Sequence, residues 1–468
     1  MKTVYLAAAV GFSLLITACR NHQTNQSDAL ASTLPGQHEP TGPSTPDWAK
    51  NATIYEVNVR QFSPKGTFAA VEEHLPRLKE LGADIIWLMP IYPIGTEKRL
   101  GRLGNPYAVA NYTAVNPDFG TMADFKSLVR RAHDVGLRVI IDWVPDHTSW
   151  DHPWINEHPD WYVQKNGRII SPVTNEGKPT GWNDVAQLNY NNPDLRASMI
   201  KAMQFWVKEA DVDGFRLEVA GMVPNDFWQE ARAALDRLKP VFLLSEWDND
   251  PAHFKWSNAN YGWNLYHLLK DIAAGKRPAA AIDTLLNHNQ RNYPAWYYQM
   301  HFIHTHDENS HRGTLQETFG PAADVFAVLT ATLEGMPLIY NGMESNLNKQ
   351  LSFYDKDTIP WDTYSKSRFF KTLFTLKHRN KALWNGLAGG QAIKIPTSQD
   401  DKAYAFYRRK DNDWITVILN LSDQPLTIRL NGEGYEGRYT EVFTRQPAEL
   451  KPQMTVSLKP WGYQVYTN

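Results

Sequence analysis

The sequence predicts an α/β protein: a (β/α)8 barrel with a small subdomain inserted after its third strand and a C-terminal antiparallel β-sandwich. Three observations predict it. From residue 53 onward, short apolar runs alternate with amphipathic helical stretches, the mark of a parallel sheet covered by helices. Ionisable residues repeatedly follow those runs at their C-terminal ends. A barrel gathers its functional side chains there, which favours it over an open doubly wound sheet. Beyond residue 385 the pattern turns to closely spaced strands separated by polar turns, as in a small sandwich.

The elements follow in chain order. Lys2 precedes an uncharged, mostly apolar run over residues 4–18, too short for a comfortable membrane span. The run closes on Leu15, Ile16, Thr17, Ala18 and Cys19. A charged start, an apolar middle and a small-residue end describe a secretory signal over residues 1–19. The Ile-Thr-Ala-Cys ending resembles the lipobox of bacterial lipoproteins. That resemblance implies a lipidated Cys19 as mature N-terminus, and a protein held in the bacterial cell envelope by this membrane anchor. Arg20 is not the acidic retention signal known from some bacteria, which favours the outer membrane or cell surface. Cys19 is the only cysteine in the 468 residues, so the mature chain has no disulfide. Residues 20–47 are polar and rich in Pro, Ser, Thr and Gly. They cannot bury enough surface to fold and read as a flexible linker.

The barrel is expected over residues 48–385. Strand-like runs fall at 53–57, 85–89, 138–142, 215–217, 241–244, 300–304 and 337–340. Residues 68–81 and 125–135 carry apolar positions at helical spacing and stop at Gly82 and Gly136, as helices do. A further helix is expected over 368–381. Residues 148–196 break the alternation with Trp, His, Pro, Asn and Gly. They are too many for a connecting loop and read as the inserted subdomain. In the sandwich, expected over 386–468, strands fall at 403–407, 414–419 and 426–430, with turns at Asp411-Asn412 and Asn431-Gly432.

Composition narrows the function. The 48 basic and 50 acidic residues leave no basic excess for a nucleic-acid or polyanion partner. The 17 Trp and 21 Tyr suit stacking on the apolar faces of sugar rings, although any single one is more simply read as packing.

Four segments carry the chemistry, each just after a predicted strand: Asp142-Trp-Val-Pro-Asp146-His147, Gly214-Phe-Arg216-Leu-Glu218, Leu244-Ser-Glu246-Trp247 and Ile303-His-Thr-His306-Asp307. A single carboxylate at a strand end is ordinarily a helix cap or an ion-pair partner. Together the four strands converge Asp142, Arg216, Glu218, Glu246, His306 and Asp307 on one mouth, a concentration of charge that is costly unless function requires it. Glycoside hydrolysis needs one protonated and one ionised carboxyl. Arg216, two residues before Glu218, projects to the same side of its strand and is expected to lower the pKa of Glu218 and keep it ionised. Glu246, beside Trp247, is the expected acid of raised pKa. Asp307 and His306 are placed to grip sugar hydroxyls.

These segments, in this order, resemble the characteristic regions of the α-amylase family, glycoside hydrolase family 13. Further stretches agree: Asn105-Pro-Tyr107 through Tyr112 to Pro117-Asp-Phe-Gly120, then Gln187-Leu-Asn189-Tyr190, and Gly335-Met-Pro-Leu-Ile-Tyr-Asn-Gly342. The similarity runs from about residue 53 into the sandwich. It implies a retaining hydrolase of α-glucosidic bonds in starch-like glucans or maltooligosaccharides, with Glu246 as general acid/base and Asp307 as transition-state stabiliser. It implies Tyr107 as a stacking platform, with Asp142, His147, Arg216 and His306 orienting the sugar and the nucleophile. No cofactor is required for that chemistry.

Two departures stand out. Glu218 occupies the nucleophile position, where the family has Asp, and the extra methylene changes the reach of the carboxylate. The calcium-binding members have Asn and His where this chain has Asp146 and Met222, which leaves a structural calcium open. Gly221-Met222 replaces the Lys-His of members that act on longer chains. A non-catalytic α-glucan-binding lipoprotein, and a transglycosylase or exo-glucosidase on the same fold, remain alternatives at this stage.

Overall fold

The structure, a computed structural model, describes residues 42–248, 250–361 and 363–468. Cys19, the expected signal and most of the expected linker lie outside the described residues. Among the described residues, no helix is long and apolar enough to cross a membrane.

Eight parallel strands close into a barrel in sequential order: β1 Ile54–Val57, β2 Ile85–Leu88, β3 Arg138–Trp143, β4 Gly214–Leu217, β5 Phe242–Ser245, β6 Ala259–Tyr261, β7 Tyr298–His301 and β8 Met336–Tyr340. Most of their residues are buried, because the outward positions meet the helices and the inward ones fill the barrel. The sequence pattern finds seven of these strands and misses β6. That strand is three residues long with Asn260 at its centre, yet it pairs with both β5 and β7. β7 begins two residues earlier than expected and ends at His301, so residues 302–307 are free to turn into the mouth.

The helix expected over 68–81 is two helices, Phe68–Glu72 and Leu75–Leu81. Pro76 in the first turn of the second has no N–H for the carbonyl of Glu72, and the first helix ends there. Thr121 and Asp124 form a capping box on the helix Met122–Asp134, and Asn192 caps the helix Pro193–Ala210.

The inserted subdomain leaves β3 and returns before that last helix, which starts three residues ahead of the expected boundary at 196. A two-stranded ladder holds its base, with His147–Ser149 paired antiparallel to Val185–Gln187. The end of the expected linker is pinned rather than loose. Arg232 donates to the Ser44 carbonyl, and Asn258 Nδ2 donates to the Ser44 carbonyl at 3.2 Å and to Thr45 Oγ1 at 3.0 Å.

The C-terminal unit is a sandwich of a six-stranded and a two-stranded antiparallel sheet. Its long hairpin, β9 Ala403–Lys410 and β10 Asp413–Asn420, is buried on both faces. Ala403, Ala405 and Ile418 face the sandwich core, while Tyr404, Phe406, Val417 and Leu419 join the core of the barrel. Arg408 continues the second set. Its guanidinium, fully buried, donates to the carbonyls of Gly390 at 2.8 Å, Thr332 at 2.9 Å, Leu333 at 2.7 Å and Trp384 at 3.2 Å. Replacing Arg408 by Ala strands these acceptors where sandwich meets barrel. The expected loss is about 3 kcal/mol or more, seen as a lower midpoint in thermal and urea unfolding; an unchanged midpoint contradicts this role.

Candidate active site

The register of the barrel builds the site. On adjacent strands Asp142 lies beside Arg216, and Glu56 lies beside Trp87. Gly214 starts β4 where a Cβ would come within 1.9 Å of the Phe242 carbonyl, so only glycine lets β4 approach β5 this closely. The backbone ladder continues one residue past these strands. Glu218 N–H donates to Trp143 O at 2.9 Å and Glu246 N–H to Leu217 O at 3.0 Å, which aims both glutamates at the mouth.

Arg216 organises the cluster. It is fully buried and bridges three carboxylates: Nη1 lies 3.0 Å from Asp142 Oδ1 and contacts Glu218, and Nη2 lies 2.7 Å from Glu246 Oε1. Nε donates to Tyr261 Oη at 2.9 Å. The rings of Trp87, Tyr261 and Tyr107 stand 5.1, 5.4 and 5.9 Å from the guanidinium carbon, close enough for cation–π attraction. Asp142 also accepts from Trp87 Nε1 and Tyr107 Oη, each at 3.2 Å. Burial raises its carboxyl to about 6, against the pull of Arg216 and His306.

The shift expected for Glu218 needs correction. The pKa of Glu218 is raised well above the ordinary range, because burial and the neighbouring Glu246 carboxylate outweigh Arg216. Sequence reasoning counted the arginine two residues away and could not count the second carboxylate that the fold brings to the same guanidinium. Glu246 in turn accepts the Val219 N–H at 2.8 Å. Val219 has φ 38° and ψ 44°, a left-handed conformation costly for a β-branched side chain. No sequence signal announces it, and it turns the amide towards Glu246.

Around the two glutamates stand the other expected residues. His306 Nε2 lies 2.7 Å from Tyr107 Oη and 3.4 Å from Asp307 Oδ1, and the Tyr107 ring stacks on the His306 and Phe353 rings. Asp307 is 36% exposed and borders a cleft of about 610 Å³, shared with Asp248, Trp263, His267, His311 and Arg312. His147 is buried but its hydrogen bonds stop short of this network. Nδ1 lies 3.4 Å from Asp146 Oδ2, and Nε2 has no partner among the described residues.

Trp247 follows Glu246 and covers Gly221, where a Cβ would come within 2.1 Å of the indole. The space freed by the absence of larger side chains at 221 is thus filled by an aromatic ring. Asn175 of the inserted subdomain donates to the Gly221 carbonyl at 2.9 Å. The Asp146 carboxylate faces His147, and no three His, Cys, Asp or Glu side chains among the described residues converge as metal ligands.

Sequence reasoning also missed Glu56, although a lone glutamate inside the apolar run Ile-Tyr-Glu-Val was visible.

A closed barrel whose mouth holds two glutamates on one buried arginine, with an aspartate opposite, is the architecture of a glycosidase. The α-amylase catalytic-domain family matches residues 46–417, and the C-terminal domain of maltogenic amylase matches residues 395–465. The chain belongs to the α-amylase family. Alpha-amylase 3 of Dictyoglomus thermophilum is 26% identical over 82% of this chain and 88% of that protein. A cyclomaltodextrinase of Geobacillus thermopakistaniensis is 24% identical over 90% of this chain and 77% of that protein. The crystal structure of a maltogenic alpha-amylase from Thermotoga neapolitana, 29% identical, superposes with a TM-score of 0.81 and covers 90% of this chain and 99% of that one.

Removing the guanidinium leaves three carboxylates without their shared counter-charge. Arg216→Met is expected to lose about 3–5 kcal/mol of stability near neutral pH. The Asp142 and Glu218 carboxyls, already raised by burial, are then driven further up, so the deficit shrinks as pH falls and they are protonated. Urea unfolding at about pH 7.5 and about pH 4.5 checks this; a deficit equal at both contradicts it.

Proposed function

We propose that this chain is a retaining glycoside hydrolase cleaving α-glucosidic bonds in starch-like α-glucans or maltooligosaccharides. The observation that carries the reading is the bridging of Glu218 and Glu246 by one guanidinium. Carboxylates held by one arginine suit the separation of about 5 Å of a retaining pair rather than the roughly 6.5–9.5 Å of an inverting one.

In this reading the Glu218 carboxylate attacks the anomeric carbon while the glycosidic C–O bond breaks and the leaving oxygen takes the proton of Glu246. Glu246 then removes a proton from water, which attacks the same carbon and releases Glu218. Asp307 faces the oxocarbenium-like centre, Tyr107 supports the sugar, and Asp142, His147 and His306 bind its hydroxyls. The substrate class is supported by the amylase and cyclomaltodextrinase relatives. Retention of Arg216, Glu246 and Asp307 in one site disfavours a binding protein without catalysis.

The same proposal places the protein on a lipid anchor at Cys19 in the cell envelope, on the strength of residues 1–19 alone.

Reducing-sugar release from soluble starch and maltoheptaose tests the hydrolase. Turnover by the protein, with a loss of at least about 10²-fold in Glu246→Gln, is the expected outcome. Binding of maltoheptaose without turnover by the parent overturns it.

A further inference from the structure

Glu56 has no part in the reaction described so far, yet it is a fully buried carboxylate beside it. It sits in β1 with its side chain fully buried in the barrel, and its Oε1 lies 2.5 Å from His306 Nδ1 and 3.3 Å from the His306 backbone nitrogen. A buried carboxylate this far from water is costly unless a cation offsets it. We propose that Glu56 is a positioning residue, which holds His306 as an imidazolium with its Nε2–H turned to Tyr107 Oη at the edge of the sugar site.

Hydrogen-bond bookkeeping supports the protonation state. Asp142 accepts from Arg216, Trp87 and Tyr107, so the single proton of Tyr107 is committed to Asp142. The oxygen of Tyr107 is then the acceptor in its 2.7 Å contact with His306 Nε2, and Nε2 must carry a proton. Burial pushes the Glu56 carboxyl up, but the His306 and Arg216 charges pull it down; as a carboxylate it only accepts, and Nδ1 then carries the other proton. Both ring nitrogens are donors, and the ring is charged.

The groups facing His306 agree. Glu56 approaches from β1 and Asp307 from its own segment, with Asp142 beyond Tyr107. Arg216 from β4 and His311 oppose the charge, and the Trp87 ring meets the imidazole edge-on at 5.7 Å. Burial disfavours the imidazolium, but the carboxylates of Asp307 and Glu56 prevail and raise His306 to about 9. Of these two, Asp307 is partly solvated and committed to substrate, whereas Glu56 is permanent. Glu56 therefore keeps the Nε2–H on Tyr107 Oη as substrate comes and goes, which fixes the Tyr107 ring beside the sugar. The role rests on the hydrolase reading, but the charge on His306 does not.

The test uses the whole protein with ¹⁵N-labelled histidine and the variant Glu56→Gln, which keeps an acceptor for Nδ1 and removes the charge. The His306 resonance is identified as the one missing in His306→Gln. In the parent, both ring nitrogens of His306 should remain protonated at about pH 8, and in Glu56→Gln the ring should titrate at least about one pH unit lower. On maltoheptaose, kcat of Glu56→Gln should fall about two-fold or more at about pH 8 and recover towards the parent at about pH 5.5, with KM little changed. A purely structural glutamate would give the same loss at both pH values. That result, an unshifted His306 titration, or a neutral His306 in the parent at about pH 7.5 overturns the proposal. If Glu56→Gln fails to fold, the parent titration alone decides. If the parent has no turnover, the hydrolase reading fails while the resonance still reports on Glu56.

Discussion

The site depends on one constraint: a guanidinium with no solvent exposure has to satisfy three carboxylates from three strands. An isolated buried charge of either sign is expensive, and a buried ion cluster tolerates little displacement because each member compensates the others. Arg216 thereby links β3, β4 and β5 at their C-terminal ends, and the aromatic rings of Trp87, Tyr107 and Tyr261 exclude water from its flanks. The rest of the barrel can be read as support for that arrangement. Gly214 allows two strands to approach, the ladder bonds beyond β4 and β5 aim the glutamates, and Val219 accepts an unfavourable backbone conformation to hold Glu246.

A second charge system lies on the opposite side of the mouth. Glu56, His306 and Asp307 run from the barrel interior to the cleft, joined to the first system through Tyr107 and Asp142. The two systems carry different kinds of charge. Around Arg216 the carboxylates are in excess, and the pKa of Glu218 is raised; around His306 a single imidazole is shared by two carboxylates, which raise its pKa. A sugar bound between them meets donors on one face and a proton source on the other. That is the asymmetry a retaining glycosidase needs.

Much of this was legible in the residues. Runs of three to five residues marked seven of the barrel strands, and the polar residues that follow them marked the mouth. Seven of the eight expected site residues fall in one connected network, and His147 lies buried beside it. What was not legible depends on distance rather than pattern. β6 has too few residues to show a period, and its Tyr261 completes the arginine's surroundings from a strand that composition does not reveal. The pKa of Glu218 moved opposite to expectation because burial, and then a carboxylate 28 residues further along on the same arginine, outweigh that arginine. The break at Glu73, by contrast, was present in the sequence as Pro76. The end of the linker looked unstructured because Ser44 and Thr45 are polar, yet Asn258 and Arg232 hold them through hydrogen bonds that need no apolar side chain.

The central claim is that Glu218, longer by a methylene than the aspartate of its relatives, is the nucleophile. Incubation with a fluorinated α-glucosyl fluoride, which slows breakdown of the covalent intermediate, followed by digestion and mass spectrometry of the labelled peptide, tests it most directly. The account predicts one glycosyl group per chain, attached to Glu218. A label on Asp142 or Asp307, or turnover of substrate with no covalent species under the same conditions, would contradict it.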